Sequence, residues 1–149
     1  MGDTGLESKR TQRGHRGHRG GTEDTEDVLP ELSRDILGCA FKVHSALGPG
    51  LLESAYEACL CRALSLTGMP FEKQVPVPVT FEGLQLDCGY RLDIVVAQKA
   101  IVEVKSVSSL LELHRAQLLT YLRLSGLRLG LLLNFNVRHL RHGIECVVL

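Results

Sequence analysis

The stretch RLDIVVAQKAIVEVKSV, Arg91 to Val107, decides how this chain folds. Two short apolar runs flank a polar turn, and they hold Asp93, Glu103 and Lys105 in their interiors. Short runs rich in β-branched residues on either side of a turn read as a strand hairpin. Residues i and i+2 of a strand point to the same face. Glu103 and Lys105 therefore project together, while Val102 and Val104 pack on the other side. Charge inside an apolar strand is costly unless it is paired or coordinated. Two carboxylates and an ammonium group on one hairpin can hold a hard divalent cation and polarise a phosphate. The same three charges would also serve as an ion pair on a half-exposed sheet. Register separates the two readings. A two-residue loop at Gln98-Lys99 pairs Asp93 with Val104 and turns Glu103 to the opposite face. A shared site needs a three-residue loop, a bulge, or a bend near Asp93.

The flanking segments supply the rest of a fold. After the hairpin, Leu110 to Leu124 has Leu111, Leu118, Leu119 and Leu122 at helical spacing, and Gly126 ends it. Leu127 to Phe135 is a nearly continuous apolar run, as in a strand buried on both faces. Ile144 to Leu149 can add a last short strand. Before the hairpin, Pro30 to Leu47 and Leu51 to about Thr67 read as helices separated by Gly48-Pro49-Gly50. Val75, Val77 and Val79 alternate with Pro76 and Pro78, which cannot donate to a ladder, so this segment is an edge strand or an extended lead-in. Glu82-Gly83 reads as a turn before Leu84 to Leu86. The order α-α-β-β-β-β-α-β, with a possible final strand, predicts a three-layer α/β/α sandwich with a central mixed sheet.

Composition sets the boundaries. The chain has 149 residues, room for one domain. Residues 1–27 contain an HRG repeat with His15 and His18 and a TED repeat, with almost no apolar side chains. Such a segment buries too little surface to offset its ordering entropy, so a disordered low-complexity leader is expected at 1–27 and a single domain at 28–149. Formal net charge is zero. Five basic residues face six acidic ones in 1–27, and twelve face eleven in the remainder. No strong global field draws the protein to nucleic acid, so any such binding uses a local patch. Five cysteines without a CxxC pair read as thiols in a reducing compartment rather than as a zinc site. No run approaches the ~18 apolar residues of a membrane span, and no apolar signal core opens the chain. A cytoplasmic protein without membrane contact is expected.

Three motifs then point one way. Asp93 followed by Glu103-Val104-Lys105 resembles the D…ExK core of the PD-(D/E)XK nuclease superfamily, and the helix–hairpin–strand–helix–strand order is similar to that core. Gly50, Glu53 and Tyr56 fit the GxxExxY signature of a small prokaryotic protein family. The likeness extends from about Ile36 to Val148 and includes His44, Gly48-Pro49-Gly50, Gln74-Val75-Pro76 and Leu132 to Asn136. Gln117-x-x-x-Tyr121 resembles the QxxxY motif of RecB-like nucleases, with both residues on one helix face.

The resemblance implies a restriction-endonuclease-like fold and a Mg²⁺-dependent nuclease, with Mn²⁺ as an alternative ion, acting on nucleic acid and in particular DNA. It implies Asp93, Glu103, Lys105, Glu53, Gln117 and Tyr121 as catalytic residues. It also implies Asp93, Glu103, the Val104 carbonyl, Glu53 and His44 as metal ligands. Each has an ordinary reading beside it. Glu53 is also a helix N-terminal charge favoured by the macrodipole, His44 a core or capping histidine, and Tyr56 a packing residue. Glu57, His114 and Arg115 read as solvated surface. Arg138, His139, Arg141 and His142 form the dense basic cluster of the folded part, either a grip on nucleic acid or a solvated turn. A homodimer would let two sites cut two strands. The alternative from another class is a catalytically inactive nuclease-fold module that binds nucleic acid or a protein partner.

Overall fold

A computed structural model describes residues 23–149. The HRG repeat and most of the expected leader lie outside the described residues. Helix α1 spans Glu23–Leu47 and α2 spans Glu53–Leu66. The first helix starts before Pro30, not at it, and Pro30 lies inside it. The apolar stripe of α1 runs through Leu32, Ile36, Ala40 and Val43, all buried.

Five strands make the main sheet, in the order β1 (Phe71–Pro76), β4 (Arg91–Val96), β5 (Ala100–Lys105), β6 (Leu129–Asn134), β7 (Ile144–Val148). Strands β5 and β6 are parallel, joined by the crossover helix α3 (Glu112–Ser125), and the other neighbours are antiparallel. The proline-bearing segment is the expected edge strand, but it pairs earlier than the Val-Pro alternation indicated and stops at Pro76. Pro76 and Pro78 have no N–H to continue the ladder. The pair β2 (Val79–Phe81) and β3 (Leu84–Leu86) forms a separate hairpin. Its two-residue turn has positive φ at both Glu82 and Gly83, the primed geometry that matches strand twist.

The alternation of β5 builds two cores. Val102 and Val104 pack with Ile94, Val96, Leu131 and Leu133 against α1 and α2. Ile101 packs with Leu132, Leu118, Tyr121 and Leu122 under α3. Strand β6 is buried along its full length, as its unbroken apolar run requires. The fold is therefore an α/β protein in three layers, with two helices on one side of a mixed sheet and one on the other. Gly130 belongs to this packing: a Cβ there would lie 2.9 Å from a Leu118 methyl, so α3 sits down on β6 where that side chain is missing. Among the described residues, no helix is long and apolar enough to cross a membrane.

Candidate active site

Ala97, Gln98 and Lys99 form the turn between β4 and β5, with Ala97 and Gln98 both at positive φ. This is the three-residue loop that a shared site requires. It sets Ile94 opposite Val102, Val95 opposite Ile101 and Val96 opposite Ala100. The same register brings Asp93 opposite Glu103, on the face that Ile101 presents to α3. Side chains complete the pairing there. The Asp93 N–H donates to Glu103 Oε1 at 3.2 Å, and the Val104 N–H donates to Asp93 Oδ2 at 2.8 Å. On the other side of β4, Lys73 pairs with Ile94 and Val75 with Leu92, while Gln74 between them has φ 51 and drops out of the ladder. A non-glycine residue in the left-handed region costs about 1–2 kcal/mol. This local break lies beside Asp93, where β4 changes the face it offers: Leu92 packs with Val95 under α3 rather than with Ile94.

The electrostatics follow from this geometry. Glu103 is only 5% exposed. Burial pushes its carboxyl up to about 8, and the nearby charge of Asp93 acts in the same direction. Asp93 is also raised, first by burial, against the opposing pull of the Val104 N–H, its bond with Glu103 and the charge of Lys105. A buried and a half-buried carboxyl that resist ionising together form a site short of positive charge. All their donor atoms are hard oxygens, which fits a divalent cation such as Mg²⁺. Among the described residues, no three His, Cys, Asp or Glu side chains gather closely enough to hold a metal ion by themselves. Mg²⁺ does not need such a set, because it keeps several waters and binds through one or two carboxylates plus substrate phosphate.

Glu53 is the first residue of α2, and its Oε1 accepts the Ser106 N–H at 3.2 Å, just beyond Lys105. Its charge also raises the Asp93 carboxyl, so it lies within electrostatic reach of the pair. The loop before it explains its aim. Gly50 has φ 102, a conformation open to glycine. The buried Tyr56 hydroxyl donates to the Gly48 carbonyl at 2.5 Å and accepts the Leu51 N–H at 3.1 Å. Ser106 Oγ donates to the Leu51 carbonyl at 2.6 Å. Gly50, Glu53 and Tyr56 thus act as one device that fixes a carboxylate at the end of β5, and Tyr56 packs rather than reacts, its ring stacked 4.7 Å from Phe135.

From the α3 side, Gln117 Nε2 donates to the Tyr121 hydroxyl at 2.9 Å. Burial raises the Tyr121 hydroxyl pKa, and the charges of Glu103 and Asp93 act in the same direction. Tyr121 packs in one cluster with Ile101, which shares a face of β5 with Glu103. His44 Nε2 bonds the Val137 carbonyl at 2.7 Å, and its ring lies 6.4 Å from that of Phe135. Arg115 pairs with Glu145 at 3.6 Å, and Glu57 accepts Gln74 Nε2. The basic cluster occupies the turn after β6, beside His44. One positioning residue escaped the sequence reading. Asn134 is 1% exposed, its Oδ1 accepts the Val107 and Asn136 N–H groups, and its Nδ2 donates to the Val107 carbonyl. It ties the exits of β5 and β6 together. Its signal was a lone amide ending the Leu131-Leu132-Leu133 run.

A family model described as the PD-(D/E)XK nuclease superfamily matches residues 30–147, which spans both carboxylates and all three layers. The chain belongs to that superfamily, whose nucleases generally depend on a divalent metal. Searches of curated proteins and of solved structures find no match.

Proposed function

We propose that this protein is a Mg²⁺-dependent nuclease that hydrolyses phosphodiester bonds in DNA, in the GxxExxY group of its superfamily and with a RecB-like QxxxY helix. The observation that carries the reading is the facing pair of a half-buried Asp93 and a buried Glu103, linked through the Asp93 N–H. Structural packing alone gives no reason to set two mutually repelling carboxyls face to face, one of them buried, with Lys105 beside them. Mg²⁺, or Mn²⁺ in its place, would be held by Asp93, Glu103 and the Val104 carbonyl. That carbonyl points to the same side of β5 as the Val104 N–H, which bonds Asp93. When bound, the ion would polarise the scissile phosphate and offset part of the charge that builds on it.

The chain's own groups do the rest. Lys105 shares a strand face with Glu103, and its ammonium offsets the remaining transition-state charge and orients the attacking water. Glu53, fixed by Ser106, stands at the open end of the site to accept a proton or to orient a second water. Gln117 and Tyr121 position the phosphate from the α3 side. His44 bonds the Val137 carbonyl through Nε2, which leaves Nδ1 as the atom that would serve as a ligand.

The test is cleavage of linear duplex, nicked and single-stranded DNA, and of RNA, in Mg²⁺ or Mn²⁺ and in EDTA, with Glu103→Ala as control. The reading expects cutting of DNA that requires the metal and disappears in the variant. Cutting that survives in Glu103→Ala would overturn the assigned site, and no cutting of any substrate would overturn the reading in favour of an inactive binding module.

A further inference from the structure

An open cleft of about 450 Å³ lies between α3 and the segment that leads into β4. Tyr90, Leu113, His114, Gln117, Thr120 and Tyr121 are among its lining residues, and no acidic side chain is. The volume falls in the range of pockets that hold small organic ligands, roughly 300–1,000 Å³. Tyr121 lines this cleft and also packs in one cluster with Ile101, on the face of β5 that carries Glu103, so a ligand seated here would lie beside the candidate site.

We infer that the cleft receives an unpaired nucleobase of the strand being cut, which makes single-stranded nucleic acid, or an unpaired segment of a duplex, the substrate class. The inference rests on the nuclease reading for its neighbour and on the cleft's own chemistry for its occupant. Tyr90 is 45% exposed, and its ring lies 6.3 Å from that of Tyr121 at 57°. The two rings are tilted rather than stacked, so Tyr90 keeps ring surface free for a base. Polar atoms for base edges stand at the rim. His114 Nδ1 accepts the Leu111 N–H at 3.0 Å, which leaves the ring proton on Nε2. Gln117 spends one of its two amide N–H groups on Tyr121 and keeps Oε1 as an acceptor. Bases inside a duplex are already stacked and paired, so they offer no free face to such a cleft. Net charge points the same way. A neutral chain gains little from a general grip on phosphate, and aromatic stacking supplies affinity that does not depend on it.

The experiment is fluorescence anisotropy of a dye-labelled oligo-dT strand and of the matching dT·dA duplex. It uses the full chain carrying Glu103→Gln in Mg²⁺, so that binding is read without cleavage. The single strand should bind on the order of tenfold more tightly than the duplex. Tyr90→Ala in that background should weaken the single strand by on the order of tenfold, as loss of one stacked base does. Tyr90→Phe should restore it, and duplex binding should not move. The chain has three tyrosines and no tryptophan, so tyrosine emission should be quenched as the strand is added. Equal affinity for duplex, or full affinity in Tyr90→Ala, would overturn the inference. So would a dimer in sedimentation that Leu113→Glu dissociates, because a second copy would then occupy the cleft. If Tyr90-dependent binding held while the wild-type chain cut nothing, only the nuclease reading would fall. If Glu103-dependent cutting held without any Tyr90 effect, only this one would.

Discussion

Glu103, buried, and Asp93, half-buried, face each other across β4 and β5. Glu103 titrates near 8 instead of in the ordinary carboxylate range, chiefly through burial and then through Asp93, and Asp93 shifts in the same direction. A carboxyl with a raised folded-state pKa holds a proton that the unfolded chain has already lost. Its contribution to stability is therefore complete below its unfolded value, about 4.5, and is lost as pH rises towards 8. In EDTA, melting temperature should fall across that window, at up to about 1.4 kcal/mol per pH unit for one such group. Added Mg²⁺ should reverse the fall at pH 8, and Glu103→Gln should remove its Glu103 component. A melting temperature that stays flat across the window in EDTA would contradict the mutually repelling pair. Lys105 carries a separable role. Lys105→Ala should keep metal binding in calorimetry and lower cleavage by roughly 10²–10³-fold, the cost of losing one stabiliser of transition-state charge. Asp93, Glu103 and Lys105 were legible in the sequence because charge inside an apolar strand is anomalous on its face. Asn134 was not, because an amide at the end of a strand is ordinary until its bonds to Val107 are seen.

The hairpin shows how one loop residue decides a site. Spacing alone left Glu103 on either face, and three turn residues, Ala97 to Lys99, place it with Asp93. Deleting Gln98 would restore a two-residue turn and rotate β5 by one position. That chain should lose cleavage and lose stability together, because Val102 and Val104 would leave their core. The second element is the loop into α2. Tyr56→Phe removes two hydrogen bonds that hold Gly48 and Leu51, so it should cost about 1–3 kcal/mol in urea unfolding and lower cleavage by loosening Glu53. The Gly50, Glu53 and Tyr56 pattern was visible in the sequence as a motif, but its purpose was not, since the partner Ser106 is supplied by the other end of the site. Gly130→Ala tests the third contact. It presses a methyl group into Leu118 and should destabilise the chain by about 1–3 kcal/mol. Helix and strand periods located most elements. The exceptions are the N-terminal reach of α1 and the early start of β1, where polar residues carry the element without an apolar pattern.

At the scale of the whole molecule, a neutral chain places its chemistry at one end of a mixed sheet. The C-terminal end of β5, the N-terminal end of β4, the start of α2 and one face of α3 meet there, so residues far apart in sequence serve one site. The three-layer arrangement could be read from the order of elements, and the superfamily match over residues 30–147 agrees with it. Which groups touch could not be read that way, since register, loop length and hydrogen bonds are tertiary facts. His44 illustrates this. It sits in the last turn of α1, and its spacing gave no sign that its Nε2 would bond Val137, 93 residues further on. The central claim is that Asp93 and Glu103 together hold the divalent ion of a nuclease, and the most direct measurement is a calorimetric Mn²⁺ titration of the wild-type chain beside Asp93→Asn and Glu103→Gln. Saturable binding to the wild type that both substitutions abolish is the predicted result. Binding that persists unchanged in either variant, or that is absent from the wild type, would contradict it.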